Sequence, residues 1–162
     1  MNKYNFSHGY NGYNWNDPVE CMKAVKKDGM LLKHVKKQTQ EICLAAIQEN
    51  EWSFQYVKEQ TKELCLTAVR KNGHLLKYVK EQIYEICLAA VKENGCSLYY
   101  VKEQTEEMCL IAMKQNGYAL KHIKKKTFDM CLEAIKKEKD YIEYIDKKEF
   151  PEIYEIWRLL YE

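Results

Sequence analysis

The stretch Cys87–Leu110, "CLAAVKENGCSLYYVKEQTEEMCL", ends as it begins, with a Cys-Leu pair that returns after 22 residues. The preceding segments, "CLAAIQENEWSFQYVKEQTKELCL" (Cys43–Leu66) and "CLTAVRKNGHLLKYVKEQIYEICL" (Cys65–Leu88), carry the same frame. Outward from these, cysteine recurs at Cys21, Cys43, Cys65, Cys87, Cys109 and Cys131, and alanine at Ala24, Ala46, Ala68, Ala90, Ala112 and Ala134. A second apolar set, Leu32, Phe54, Leu76, Leu98, Leu120 and Ile142, is followed three residues later by Val35, Val57, Val79, Val101, Ile123 and Ile145. A spacing of three belongs to helix, because a strand alternates its faces with a period of two.

Each copy therefore reads as two short helices. Thr39, Thr61, Thr105 and Thr127 are placed to cap the free amides of a helix start, and Glu41, Glu63, Glu107 and Asp129 lie in the first turn, where the dipole favours them. In the first copy Asp17 takes the threonine's place and Pro18 follows, at a position that costs no hydrogen bond. Asn72-Gly73, Asn94-Gly95, Asn116-Gly117 and Asp28-Gly29 end the first helix, with glycine expected in a left-handed cap; Glu51 and Lys139 depart from it. Runs such as "ICLAAI" are apolar almost all round, which fits helices touched by the copies before and after. Helices this short are marginal alone, below the roughly 12 to 15 residues an isolated helix needs, so stacking must hold them.

The predicted fold class is all-α: an α-solenoid of six two-helix, 22-residue repeats (17–38, 39–60, 61–82, 83–104, 105–126, 127–148) with a C-terminal capping helix over 149–162. In that last helix Ile153, Ile156, Trp157 and Leu160 follow the i, i+3, i+4, i+7 pattern and are expected to cover the open face. Residues 1–16 form an arm rich in Asn, Tyr and Gly. Either it is flexible, or Tyr10, Tyr13 or Trp15 packs onto the first repeat.

The 26 basic and 24 acidic residues nearly cancel, which leaves no global field for nucleic acid or an anionic membrane. All the basic residues except Arg70 and Arg158 are lysine, and the scarcity of arginine argues further against base or phosphate recognition. No apolar run approaches the length of a membrane span and the first residues lack the order of a secretory signal. An intracellular, non-secreted protein with no membrane partner is expected.

The repeated cysteine raises four readings: metal, disulfide, reactive thiol and packing. Zinc wants converging ligands with two close in sequence, and no such pair occurs. Stacked helices about 8 to 10 Å apart place equivalent cysteines beyond the roughly 4.4 to 6.8 Å Cα separation of a disulfide. Packing as a small hydrophobe remains, and seven thiols suit a reducing compartment. No metal and no cofactor are expected.

Cys96 stands outside the column, in a slot after the Asn-Gly cap that holds Met30, Trp52, His74, Cys96, Tyr118 and Asp140. Variation on a rigid frame is how repeat proteins address partners, and it is also how an unconstrained surface drifts; both readings stand. A column of flat amphipathic side chains, His34, Tyr56, Tyr78, Tyr100, His122 and Tyr144, reads as structural, with base stacking as its alternative. Lys36, Lys58, Lys80, Lys102 and Lys124 make a candidate basic ridge, offset by Glu59, Glu81 and Glu103. There is no phosphate loop, HExxH or nucleophile elbow, so no catalytic residues are assigned and the chain is not expected to be an enzyme.

"KEQTEEMCLIAMKQNGYALKHIK" (Lys102–Lys124) and "YEICLAAVKENG" (Tyr84–Gly95) resemble the short helical repeats of a domain-of-unknown-function family common in giant viruses of amoebae. The likeness covers residues 17 to about 148 through the Thr-x-Glu start, the Cys-Leu pair, the Asn-Gly cap and the Tyr-Val-Lys end. It implies an all-helical array and no established activity, cofactor or site. The functional expectation is a non-enzymatic protein-interaction repeat module of viral type, in host cytoplasm or virion, with a protein partner of unknown identity. The alternative is a nucleic-acid-associated protein using the Lys and Tyr/His columns, and a third reading is an enzyme or thiol-dependent regulator working through Cys96.

Overall fold

Each copy places a ten-residue α-helix ahead of a six-residue 3₁₀ helix, and in the first five copies one Asx residue caps both. The α-helices are α1 (Pro18–Lys27), α2 (Gln40–Glu49), α3 (Lys62–Lys71), α4 (Tyr84–Glu93), α5 (Glu106–Gln115) and α6 (Phe128–Lys137), followed by α7 (Pro151–Tyr161). The 3₁₀ helices span Gly29–His34, Glu51–Tyr56, Gly73–Tyr78, Gly95–Tyr100, Gly117–His122 and Lys139–Tyr144. The computed structural model describes residues 12–162; Tyr10 and the rest of 1–11 lie outside the described residues. The fold is an all-α solenoid of two-helix repeats with a C-terminal helix, and the chain divides into two compact units, up to Glu81 and from Gln82 onward.

The predicted second helix is thus of the tighter kind, with three residues per turn. That period makes the segment a three-sided prism. Gly29, Leu32 and Val35 are buried on one side, as are Gly73, Leu76 and Val79, Gly95, Leu98 and Val101, and Gly117, Leu120 and Ile123, whereas in the last copy Lys139 is exposed and Ile142 half-buried.

The predicted left-handed glycine cap is corrected by the backbone. Asp28, Asn50, Asn72, Asn94 and Asn116 are extended, each giving its N–H to the alanine carbonyl four residues back and accepting on its side chain the N–H two residues on. One Asx residue therefore ends the α-helix with its backbone N–H and starts the 3₁₀ helix with its side chain; in the last copy Glu138 makes no such side-chain cap. The glycine after it is required by space, not by φ: a Cβ on Gly29 would strike the Ala46 carbonyl, and one on Gly95 would lie 3.0 Å from Ala112 Cα. Among the described glycines only Gly12 has positive φ.

At the helix starts, Thr39, Thr61, Thr105 and Thr127 accept the N–H of the residue three on at 3.3 to 3.4 Å, and Asp17 accepts that of Val19 at 2.9 Å. Ile83, where the threonine is missing, makes no side-chain cap.

Unit 1 buries Ala24, Val25, Leu32, Ala46, Ile47, Phe54, Ala68, Val69 and Leu76 at 0% exposure. Trp15 is 8% exposed and stacks on His34 with ring centroids 5.3 Å apart, so this part of the predicted arm packs on the first repeat. Unit 2 buries Ala90, Val91, Leu98, Ala112, Leu120 and Ile135, with α7 laid over α6. In α7 Ile153 is buried, Tyr154 Oη donates to the Ile145 carbonyl (2.8 Å), Trp157 Nε1 to Lys139 (2.8 Å) and Tyr161 Oη to Ile135 (2.8 Å). Leu160 departs from its predicted cover: it is 53% exposed, because the hydrogen-bonded Trp157 and Tyr161 take the contact surface instead.

A glutamine column joins successive copies. In unit 1, Gln38 Nε2 donates to the Tyr56 carbonyl (2.9 Å) while its Oε1 accepts the Lys58 N–H (3.0 Å); Gln60 does the same with Tyr78 and Lys80. In unit 2, Gln82 bridges Tyr100 and Lys102, and Gln104 bridges His122 and Lys124. Each amide thus mimics a peptide group and satisfies two backbone groups at the end of the next 3₁₀ helix.

Replacing Gln60 with leucine leaves the Tyr78 carbonyl and Lys80 N–H without these partners. Urea unfolding should show a loss of about 1 to 3 kcal/mol, against less than about 0.5 kcal/mol for the exposed Gln48→Ala. Equal losses would contradict the bridging role. Ser53 and Ser97 are 0% exposed with unpartnered hydroxyls, so Ser97→Ala should leave stability unchanged or raise it.

Candidate functional site: the face of the 3₁₀ helices

The slot residues sit on the second position of each 3₁₀ helix, and all but Asp140 are held by an Asx hydrogen bond to their own N–H. Met30, His74, Cys96 and Tyr118 are half-buried, while Trp52 and Asp140 are exposed. Three residues on, eclipsed by the 3₁₀ period, lies a column absent from the sequence reading: Lys33, Gln55, Lys77, Tyr99, Lys121 and Glu143. One further residue on comes the His/Tyr column, half-buried throughout.

These three columns meet across neighbouring copies. In unit 1 the Lys77 ammonium lies 5.1 Å from the Trp52 ring and 4.7 Å from the Tyr78 ring. In unit 2 Tyr99 is edge-on to His122 at 5.2 Å, Tyr118 is edge-on to Tyr144 at 5.4 Å, and Lys121 Nζ donates to Tyr118 Oη at 2.9 Å. Each unit so presents aromatic rings and cations on a fixed backbone. Burial, with Lys121 adding to it, pushes the His122 imidazole below its ordinary range and favours its neutral form there. A signal for the missed column existed, since a three-residue period from each slot finds it.

Three lysines of the ridge, Lys58, Lys80 and Lys124, are spent on the protein itself. Lys58 Nζ donates to the carbonyls of Val35 (3.0 Å) and Lys36 (2.9 Å), Lys80 Nζ to Lys58 (2.7 Å), and Lys124 Nζ to Val101 (3.0 Å) and Lys102 (2.6 Å). These ammonium groups meet the negative ends of short helices.

The six column cysteines are buried free thiols, and Cys96 is a half-buried free thiol. Cys43, Cys65, Cys87 and Cys109 donate weakly to the bridging oxygens of Gln38, Gln60, Gln82 and Gln104 at 3.8 to 4.0 Å. The column therefore fills space and steadies the glutamine. At the first position Cys21 turns to the Asn14 carbonyl at 3.9 Å, and before Cys131 the glutamine's place is held by Lys126. Among the described residues no group of three or more His, Cys, Asp or Glu is placed to hold a metal ion, and no helix is long and apolar enough to cross a membrane.

Burial pushes the Cys43 and Cys131 thiols up to about 11 and raises those of Cys21, Cys65, Cys87 and Cys109. The folded state prefers the neutral thiol, so its contribution is full below the unfolded value of 9.0 and is lost as pH rises through about 11. Thermal unfolding from pH 8 to 11 should show a fall in Tm that Cys43→Ala combined with Cys131→Ala makes shallower. At neutral pH iodoacetamide should modify Cys96 in the folded protein and the column only after denaturation; uniform labelling would contradict the packing role.

Comparison with known proteins adds one finding. The family described as Domain of unknown function (DUF4116) matches residues 21–62, 61–105 and 105–150. Each match spans two of the 22-residue copies, and the sequence alternates with that doubled period: Lys33, Lys77 and Lys121 occupy odd copies, against Gln55, Tyr99 and Glu143 in even ones. No curated protein and no solved structure matches. With three consecutive matches over most of its length, the chain belongs to the DUF4116 family of repeats.

Proposed function

We propose that the chain is a non-enzymatic protein-interaction module of viral type, at work in host cytoplasm or a virion, and that the 3₁₀ face is its recognition surface. The observation that carries this is the division between frame and face. Asn, Gln, Cys and Ala recur to satisfy and space the backbone, while Met30, Trp52, His74, Cys96, Tyr118 and Asp140 differ in size and charge on one repeated position. Rigid aromatic side chains backed by cations bind partner surfaces at little entropic cost. Acids and bases recur as columns, and among the described residues no nucleophile, base and orienter are brought together, which favours binding over catalysis. Lys58, Lys80 and Lys124 are engaged with carbonyls, so the ridge offers little to a phosphate backbone.

The test compares the tagged full chain with a variant carrying Trp52→Ala, His74→Ala and Tyr118→Ala, both expressed in infected amoebae. Proteins captured by the parent should be lost with the variant, and Trp52→Ala or Tyr118→Ala alone should weaken a purified binary complex by about 2 kcal/mol if it is a hot spot. Identical capture by both would remove the face from recognition. Retention on labelled RNA or DNA, lost on Lys80→Glu and Lys102→Glu, would favour the nucleic-acid reading.

A further inference from the structure

The seam between α5 and α6 is built unlike the other seams within each unit. α1 packs on α2, α2 on α3 and α4 on α5, whereas α5 and α6 scarcely touch. The reason lies at one position. Leu31, Ser53, Leu75, Ser97 and Ala119 give way in the last copy to Tyr141. Over Gly29 and Gly95 the atoms closest to a built Cβ come from the next α-helix, Ala46 and Asn50 in one case and Ala112 and Gln115 in the other. Over Gly117 they all come from the ring of Tyr141. The phenol ring occupies the seat that the next helix takes elsewhere, and interiors packed to crystal density cannot absorb it without separation. Gly117 and Ala134, whose counterparts meet in closed seams, here line an open groove of about 570 Å³.

The groove has an apolar floor and two differently charged ends. Leu110, 43% exposed, lies along it with Met113, Met130 and Ala134. Glu106 and Asp129 stand in the first turns of α5 and α6 and Glu133 midway along α6, while Lys114, Lys136 and Lys137 stand in the last turns. An ordinary helix carries acids in its first turn and bases in its last, so it complements this groove when it runs antiparallel to α5 and α6. We propose that the Tyr141-wedged groove docks one amphipathic α-helix of a protein partner, acidic at its N-terminus and basic at its C-terminus, in that direction. No slot residue lines the groove, so the two surfaces are separately testable.

The probe is a fluorescein-labelled, hydrocarbon-stapled helix with leucines at i, i+3, i+4 and i+7, glutamates in its first turn and lysines in its last. A second probe has the two charged ends exchanged. Fluorescence anisotropy with the full chain should show saturable binding of the first probe, weakened about tenfold or more for the exchanged probe and for Leu110→Lys. Tyr141→Ser, which installs the residue found at positions 53 and 97, should close the seam and weaken binding similarly, with circular dichroism confirming that it stays folded. Trp52→Ala should leave probe binding unchanged, which separates failure of the groove from failure of the 3₁₀ face. Absence of binding, equal binding of both probes, or binding indifferent to Tyr141→Ser and Leu110→Lys would overturn the proposal.

Discussion

The structure depends on a side-chain amide standing in for a peptide group. The end of every 3₁₀ helix leaves a carbonyl and an N–H two residues apart, and no short helix can satisfy both from within. Gln38, Gln60, Gln82 and Gln104 supply the matching acceptor and donor from the preceding copy. Because an amide must face both groups at once, the bridge sets the register between neighbours as well as contributing to their attraction. The cysteine five residues later keeps that amide oriented and is small enough to let the helices close.

A frame satisfied in this way frees the outer surface. Along the 3₁₀ face the same backbone carries Trp52, Cys96 or Tyr118 without disturbing the Asx cap or the buried Leu/Val pair, since the prism turns the slot away from the core. Tyr141 is the contrasting case: its position faces a neighbour, so a change of size there is transmitted to the spacing of α5 and α6. Whether substitution alters only chemistry or also shape depends on which side of the prism receives it.

Much of the architecture was legible because it rests on columns. The 22-residue period, the Thr caps and the burial of the cysteine, alanine and Leu/Val columns are repeated six times or nearly so, and periodicity alone separates inside from outside. The slot was legible for the same reason, as the position where a strict column fails. The glutamine column was equally visible in the letters, yet a polar residue one place before a helix cap reads as solvated until its reach to the next copy is known. The lysine ridge, offset by neighbouring glutamates, reads in the letters as solvated, and only the placement of the Lys58, Lys80 and Lys124 ammonium groups on carbonyls shows these three to be part of the frame.

By itself, the sequence determined the all-α class, the number and length of copies, and which columns are buried, because these follow from local propensity and from a period that leaves one consistent packing. Tertiary structure decided what local preference cannot encode. The second helix winds with three residues per turn, and in the middle copies an Asx cap and a glutamine bridge from the preceding copy satisfy its two ends. Glycine is demanded by the approach of a neighbouring carbonyl and not by its own φ. The groove beside α5 exists because a single ring takes the space of a helix, an effect between elements that no residue shows alone.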